Sequence, residues 1–265
     1  MTATAIAAIG LTAFLASGLS LFAGFGLGTL LLPVFALVFP AQVAVAATAV
    51  VHGLNSAFKA ALVGREADRR VVVRFGLPAM AAAFAGAGLL AALADRPPVT
   101  LSWPGGRTTT VPPIQVGMGL LILVFALVEL APRAEALALP PRWLPFGGML
   151  SGFFGGLSGH QGALRAIFLR RAGLSPRAFV GTQAVLACLV DATRLLVYGA
   201  AAWRRHFAPL TVPGTIAAVA VGTLCGFAGA FLGARFFTKV TLTGLKWIVG
   251  LSLVVVGAGL ASGVL

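Results

Sequence analysis

The sequence has few charged residues, and acidic residues are the scarcest of them. Charged residues make up 9% of the 265 residues, with 6 Asp or Glu against 19 Lys or Arg. Hydrophobic residues make up 59%, and the mean hydropathy is +1.02. A soluble domain of this length does not carry so large an apolar fraction, so the composition predicts a polytopic integral membrane protein.

Other absences narrow the function classes. Both cysteines, Cys188 and Cys225, lie in apolar runs and are interpreted as packing residues. The sequence has no His-Glu-x-x-His motif, paired cysteines or acidic cluster, so we expect no metal and no cofactor. It also shows no nucleophile and base set, which argues against an enzyme. The basic residues cluster at the ends of apolar runs, as membrane anchors do, so we expect no nucleic-acid partner. The first 58 residues contain no Lys or Arg, so a signal peptide is not expected.

Glycine-rich breaks interrupt two of the eight apolar segments. The segments cover residues 4–39, 41–62, 71–94, 113–131, 143–173, 177–201, 208–234 and 242–264, with breaks at 23–28 and 155–162. Irregular backbone in a bilayer is tolerated only where it is buried in protein or lines a watery cavity. The half-helix that restarts near Gly162 would direct its free N–H groups and positive dipole end at the membrane interior. Each break therefore predicts a ligand site, and this geometry favours an anion.

The last four segments repeat the first four. An offset of 134 relates Gly28 to Gly162, and an offset of 135 relates Lys59 to Arg194. Landmarks that keep a nearly constant offset indicate a duplication. The predicted organisation is a first repeat, a cytoplasmic linker and a second repeat, at residues 1–131, 132–142 and 143–265.

The distribution of Lys and Arg favours re-entrant hairpins at the breaks, because the cytoplasmic side should hold the excess. If both broken segments return to their own side, thirteen Lys or Arg lie on one side, and the other side keeps Arg96, Arg107, Arg204 and Arg205. If all eight segments cross, the split is nine to eight. The predicted fold is therefore an all-α polytopic membrane protein with two inverted repeats, each a re-entrant or broken helical hairpin plus three transmembrane helices. The arm from Thr4 to Phe22 is long enough to cross, so either arrangement stays open for the first hairpin.

The stretch from Val99 to Val111 alternates around Pro104-Gly105-Gly106. This pattern predicts a short external β-hairpin. A gating hairpin and a passive surface hairpin are both compatible with it.

Polar residues line one helical face of the segment 41–62, and its partner segment is also polar. The two sets are Thr48, His52, Asn55, Ser56 and Lys59, and Thr182, Gln183, Asp191 and Arg194. A charge at membrane depth costs about 2.5–3.5 kcal/mol on insertion scales and normally faces a cavity or a partner. We assign Lys59, Asp191 and Arg194 to gating or to an ion pair, since residues 191 and 194 lie three apart on a helix. A purely structural neutralisation remains the alternative.

The breaks and the polar faces together define the candidate substrate-binding residues. They are Gly26, Gly28, Thr29, Thr48, His52, Asn55, Ser158, His160, Gln161, Gly162, Arg165, Thr182 and Gln183. Arg165 lies about one turn into the second half-helix, and its planar fork of donors suits an oxyanion. His52 is interpreted either as a hydrogen-bonded interhelical residue or as a proton carrier.

Two of these runs resemble a known family. The run from Gly24 to Pro33, with Gly64-Arg65 after it, is similar to the first-repeat pattern of the sulfite exporter TauE/SafE family. The run from Gly152 to Gly159, continuing through Arg165 to Gly181-Thr182, resembles the second. The resemblance covers nearly the whole chain and implies transport of small sulfur-containing anions, such as sulfite or organosulfonates, across a bacterial cytoplasmic (inner) membrane. The expected partners are thus a small anionic substrate and the lipid bilayer, and an oligomer is possible.

The sequence favours a secondary transporter, expected to be an exporter, that works by alternating access around the two breaks. The alternatives are an anion channel of the same architecture and a non-transporting membrane scaffold. A monovalent anion leaving a cell that is negative inside gains about 2.3 kcal/mol per 100 mV, so electrogenic export needs no coupled ion. Proton coupling through His52 is the alternative.

The charge count generates a topology prediction. Thr2 and Leu265 should lie outside, and the loop at 64–74 and the linker at 131–142 should lie in the cytoplasm. Single cysteines at these positions should label from the corresponding sides of the membrane. Cytoplasmic labelling of both Leu265 and the linker would contradict the inverted arrangement.

Overall fold

A computed structural model describes residues 1–23, 26–94, 96–103, 106, 108–131, 138–204, 212–236 and 243–263. These residues form ten α-helices and a β-hairpin. In chain order the elements are α1 (Ala3–Ala23), α2 (Leu27–Ala36), α3 (Ala41–Val63), α4 (Arg69–Ala94), β1 (Val99–Ser102), β2 (Thr108–Val111), α5 (Pro113–Leu130), α6 (Leu144–Ser158), α7 (Gly162–Leu169), α8 (Pro176–Arg204), α9 (Thr215–Phe236) and α10 (Thr243–Ser262). The predicted all-α polytopic class is confirmed. In each half a broken pair of helices precedes three further helices. The inverted relation of the halves stays a prediction.

Five helices in the described ranges are long and apolar enough to cross a membrane. They include residues of α1, α3, α4, α8 and α9. Large apolar side chains are exposed on the outside of the bundle, among them Leu77, Leu196 and Ile216, while Arg165, Asp191 and Arg194 are buried. A polar interior under an apolar surface is the pattern expected of a protein whose solvent is lipid.

Glycines with unusual backbone angles produce the two breaks. Gly159 ends α6 in the left-handed conformation, with φ 85°, and Gly26 precedes α2 with φ 121°. L side chains rarely adopt these angles, so glycine is required for the chain to turn here. Part of the first break, residues 24 and 25, lies outside the described residues.

The two arms that lead into the breaks differ in length. The helix α1 has 21 residues, or about 31 Å at 1.5 Å per residue, which is enough to cross a core of about 30 Å. The helix α6 has 15 residues, which reach only about 22 Å. The second arm has the length of a re-entrant segment, whereas the first has the length of a spanning helix.

Glycines allow two helix pairs to approach at backbone distance. On α6, the glycines 148, 152 and 156 lie against the backbone of α4, where a Cβ at Gly152 would overlap the Ala79 carbonyl. On α9, Gly229 and Gly233 lie against α1, where a Cβ at Gly233 would come within 2.9 Å of the Gly18 carbonyl oxygen. The glycine repeat of α9 is thus a helix-packing feature, as its spacing of four indicates.

The packing partners correspond when the two halves are exchanged. Helices α1 to α5 of the first half correspond to α6 to α10 of the second. Exchanging the halves therefore turns the pair α4–α6 into the pair α9–α1, and both pairs are in close contact. The pairs α3 with α8 and α5 with α10 map onto themselves, and these helices also pack together. The helices of the two halves therefore interleave in one bundle.

The predicted β-hairpin is confirmed. Strands β1 and β2 pair antiparallel, with Val99 opposite Val111 and Ser102 opposite Thr108. Residues 104 and 105 of its turn, residues 132–137 of the predicted linker and the C-terminal Leu265 lie outside the described residues.

The α4–α6 contact generates a stability prediction with a control on the same helix. A Cβ at Gly86 would overlap the Phe153 carbonyl, whereas a Cβ at Gly88 would have nothing within 4 Å. We expect Gly86→Ala to cost about 1–3 kcal/mol of stability through overpacking. Gly88→Ala should be neutral or stabilising by up to about 1 kcal/mol, because alanine favours the helix. Thermal unfolding of the purified protein in detergent measures both, and equal melting temperatures would contradict the close contact.

Candidate functional site

The two breaks meet at one cavity in the middle of the bundle. Gly28 at the start of α2 lies beside the second break, because a Cβ added to Gly28 would be 3.6 Å from the Gly159 carbonyl oxygen. The space open to the centre of a water molecule is about 50 Å³, and one bound water needs about 10–15 Å³ on this measure. The cavity therefore has room for a few waters or for an anion of a few heavy atoms.

Most of the predicted substrate-binding residues line this cavity. They are Gly26, Gly28, Thr29, His52, Asn55, His160, Gln161, Gly162, Arg165 and Gln183, and Lys59 joins them. They come from both halves of the sequence, from the two breaks and from the facing helices α3 and α8. The structure thus brings together residues up to 157 positions apart, from Gly26 to Gln183.

The N-termini of both short helices lie at the cavity. Gly26 and Gln161 occupy the N-cap positions of α2 and α7, and neither helix has a side-chain cap hydrogen bond. The first N–H groups of a helix have no partner within it. The first turns, at Leu27–Thr29 and at Gly162 and Ala163, therefore present N–H groups and positive dipole ends to the cavity. This is the anion-favouring geometry that the breaks predicted.

Asp191 of α8 connects three parts of the site. Its Oδ2 lies 2.7 Å from His52 Nδ1 on α3, and its Oδ1 accepts a hydrogen bond of 3.2 Å from Gln161 Nε2 in the second break. Arg194 Nε lies 3.0 Å from Oδ1, but its N–H is not directed at the oxygen closely enough for a hydrogen bond. The predicted pairing of Asp191 with Arg194 is therefore present as an ion pair, and Asp191 also engages the cavity wall.

Arg165 of α7 is positioned by two glutamines. Its Nη1 donates to Gln161 Oε1 over 3.0 Å, and its Nε donates to Gln183 Oε1. Gln161 therefore accepts from Arg165 and donates to Asp191 through its two amide ends. This chain fixes the guanidinium beside the cavity, and the planar fork of an arginine has the geometry that suits an oxyanion.

Lys59 lies on the first-half side of the same cavity. Its Nζ donates to Ser20 Oγ of α1 over 2.7 Å. With the Asn55 amide in the orientation that satisfies both of its ends, Asn55 Oδ1 also accepts from Nζ at 3.2 Å, and its nitrogen donates to the Gly226 carbonyl at 3.2 Å. Neutral polar groups thus hold the ammonium and leave its charge uncancelled at these contacts.

His160 is held within the second break. Its Nδ1 lies 3.1 Å from Ser158 Oγ, and its ring stacks on Phe125 of α5, with centroids 5.0 Å apart. Its Nε2 is buried without a hydrogen-bond partner in the described structure. Ser158 itself donates to the Phe154 carbonyl and contacts His160. It is not among the residues that line the cavity.

Besides Ser158, two predicted substrate-binding residues, Thr48 and Thr182, lie away from the cavity lining. Thr182 Oγ1 accepts a hydrogen bond of 2.9 Å from the Asp68 N–H, at the turn that leads into α4. The neighbouring Gly181 lies against that turn, where a Cβ would be 2.6 Å from the Val63 carbonyl oxygen. Thr48 is buried, and its hydroxyl has no partner among the described residues. Thr182 therefore attaches the start of α8 to the α3–α4 turn.

The structure adds lining residues that sequence reasoning missed. Ser20 Oγ accepts a hydrogen bond from Lys59, and the Phe125 ring stacks on His160. Ser56 lies on the polar face already recognised on α3 but was not assigned to the site. The remaining wall is apolar and includes Val180, Ala184, Ala187 and Leu253. Ser17 and Ser20 lie three residues apart on α1, and this spacing could have indicated a polar helical face that includes Ser20. A lone phenylalanine in an apolar helix, such as Phe125, has no sequence pattern that indicates a site role.

The buried charges around the cavity do not balance. Among the described residues, Lys59, Arg165 and Arg194 are the buried cations and Asp191 is the buried anion. With the histidines neutral and Lys59 protonated, the excess is two positive charges. Uncompensated charge at low dielectric is costly, so the arrangement favours an anionic occupant.

Comparison with known proteins identifies one family. The family model described as "Sulfite exporter TauE/SafE" matches residues 9–260, nearly the whole chain. No curated protein and no solved structure matches the chain.

Arg165 provides a test of the site. Arg165→Ala should weaken anion binding about tenfold or more, since charge-assisted hydrogen bonds contribute about 1.5–3 kcal/mol. Sulfite or sulfonate binding to purified protein, by calorimetry or thermal shift, measures this. The exposed Arg171, just beyond α7, provides the matched control, because Arg171→Ala removes the same charge away from the cavity. Unchanged affinity in a folded Arg165→Ala protein would contradict the assignment.

Proposed function

The chain belongs to the sulfite exporter TauE/SafE family, a family of membrane transporters, and we propose that it carries sulfite or small organosulfonates across a bacterial cytoplasmic membrane. The observation that carries the proposal is the cavity between the two breaks. Two helix N-termini and an excess of buried positive charge face it. Family membership supports sulfur as the central atom, and the geometry supports an oxyanion.

The size and walls of the cavity support a small substrate. Its volume is sufficient for a sulfite ion or a sulfonate head group. The apolar side chains Val180, Ala184 and Ala187 offer a surface for the carbon portion of a short sulfonate. Donors from the backbone and from Arg165 would bind its oxygens.

Alternating access is the mechanism that this arrangement favours. The binding groups come from two similar halves, and the site lies where the breaks of both halves meet. Opening to one side and then to the other requires the helices around the site to rearrange. If no ion is coupled, a potential that is negative inside favours export by about 2.3 kcal/mol per 100 mV. This electrical term is the basis of the exporter hypothesis.

Flux of a labelled sulfonate into proteoliposomes tests the proposal. A carrier should give saturable entry that unlabelled sulfite inhibits, because each transport cycle moves one bound substrate. Arg165→Ala should raise the concentration for half-maximal flux about tenfold, and Arg171→Ala should not. A large nonsaturating current would instead indicate a channel, and no flux from folded protein would indicate a scaffold.

A further inference from the structure

We propose that His52 and Asp191 form a proton-carrying pair that couples anion transport to proton transport. This inference rests on the proposed function and concerns how the same site is driven. It depends on a contact between α3 and α8 that joins residues 139 positions apart.

The hydrogen bond to Asp191 fixes which ring nitrogen of His52 carries the proton. Nδ1 of His52 lies 2.7 Å from Asp191 Oδ2, and the same carboxylate lies beside Arg194 and accepts from Gln161. With the Arg194 cation beside it and the Gln161 amide donating to Oδ1, the carboxylate is ionised, and an ionised carboxylate can only accept. Nδ1 therefore carries a hydrogen, and in the neutral ring Nε2 is an acceptor.

The Nε2 edge of His52 faces the cavity. His52 lines the cavity, and Cδ2 and Nε2 lie 3.2 and 3.6 Å from the position of a Cβ on Gly28. Gly28 has no side chain, so this edge is open toward the first turn of α2. In the described part of the chain, Nε2 makes no hydrogen bond. A neutral His52 thus presents a lone pair to the place where the anion would bind.

Anion binding and protonation of Nε2 must therefore favour each other. A lone pair repels an oxyanion, whereas a protonated Nε2 donates a hydrogen bond and adds a positive charge. By thermodynamic linkage, a bound anion strengthens proton binding by the same factor by which the proton strengthens anion binding. The proton taken up comes from cavity water on the open side and returns to water on the other side, with no covalent change in the anion.

The other charged and titratable groups near His52 do not replace it in this role. Asp191 and Arg194 approach from α8, which also carries Cys188 and Tyr198 near Asp191. Lys59 lies on α3, Arg165 on α7, and His160 in the second break. The helices α1 and α2 contain no titratable side chain, and the charged residue of α9, Arg235, lies in its last turn. His160 faces Ser158 and Phe125, and no carboxylate of the described residues contacts it. His52 alone of these groups combines a carboxylate partner with an edge in the cavity.

Coupling changes what drives transport. One proton moving with one monovalent sulfonate carries no net charge, so the membrane potential no longer favours export. The anion gradient and the pH gradient together then set the direction. An exterior more acidic than the cytoplasm drives uptake, and a large internal anion excess drives export.

Proteoliposomes loaded with a pH-sensitive dye test the pair. Methanesulfonate is the probe, because its sulfonate stays ionised at neutral pH and its own titration cannot mimic coupling. In the wild-type protein, entry of methanesulfonate should acidify the lumen with one proton per anion and should not respond to an imposed potential. Its apparent affinity should fall as the pH rises, by up to about tenfold per pH unit, because binding favours the protonated ring.

Three variants separate the pair from the rest of the site. His52→Gln should abolish both the acidification and the pH dependence. In Asp191→Asn, the amide can donate to Nδ1, so the neutral ring carries its hydrogen on Nε2, and anion binding should no longer depend on pH. Arg171→Gln, which removes a charge at an exposed residue outside the cavity, is the control and should keep the acidification and the pH dependence.

The outcomes distinguish this inference from the proposed function. Saturable methanesulfonate entry without acidification, or acidification that persists in His52→Gln, overturns the coupling and leaves the transport function intact. Absence of saturable entry from folded wild-type protein overturns the transport function and the coupling with it. If Asp191→Asn does not fold, His52→Gln alone decides.

Discussion

The arrangement of the site depends on the carboxylate of Asp191, the buried acidic group among the described residues. Its two oxygens contact His52 of α3, Gln161 of the second break and Arg194 of its own helix. Through Gln161 the same chain of contacts continues to Arg165. Removing one partner of a buried ion pair costs about 3–5 kcal/mol, because the other charge is left unpaired. The position of one carboxylate thus determines the position of a histidine, an amide and two guanidinium groups.

The bilayer explains why such a cluster lies next to irregular backbone. Lipid cannot hydrogen-bond to the free N–H groups at Leu27 and Gly162, so these helix starts are tolerated only because they face each other across a polar cavity. The cations are distributed in a related way. Lys59 lies against Ser20 near the end of α1, and Arg194 lies against Gly159 at the end of α6. Each half therefore directs a cation from its third helix toward the carbonyl end of its own first arm, where the helix dipole is negative.

Local pattern predicted the elements and much of the cavity lining. The glycine-rich runs predicted the breaks, where Gly26 and Gly159 have positive φ angles. Alternation around a Pro-Gly-Gly turn predicted the hairpin. Spacings of three and four residues placed His52, Asn55 and Lys59 on one helical face, and all three line the cavity. The partners of these residues were harder to predict, because contacts between distant helices depend on how each helix is rotated in the bundle. The His52–Asp191 contact and the stacking of Phe125 on His160 are of this kind. Thr182 was misleading for the same reason, since its helical face points at the α3–α4 turn.

The close glycine contacts constrain how the site can open. They join α6 of the second half to α4 of the first, and α9 of the second half to α1 of the first. A motion that separated the halves as sequence units would break both interfaces, where backbones meet without intervening side chains. A motion that keeps α4 with α6 and α1 with α9 preserves them and places the strain on the α3–α8 contact, where His52 meets Asp191. In the proposed mechanism, a polar contact that one proton can alter therefore lies where the moving parts separate, and well-packed glycine interfaces lie where they stay together.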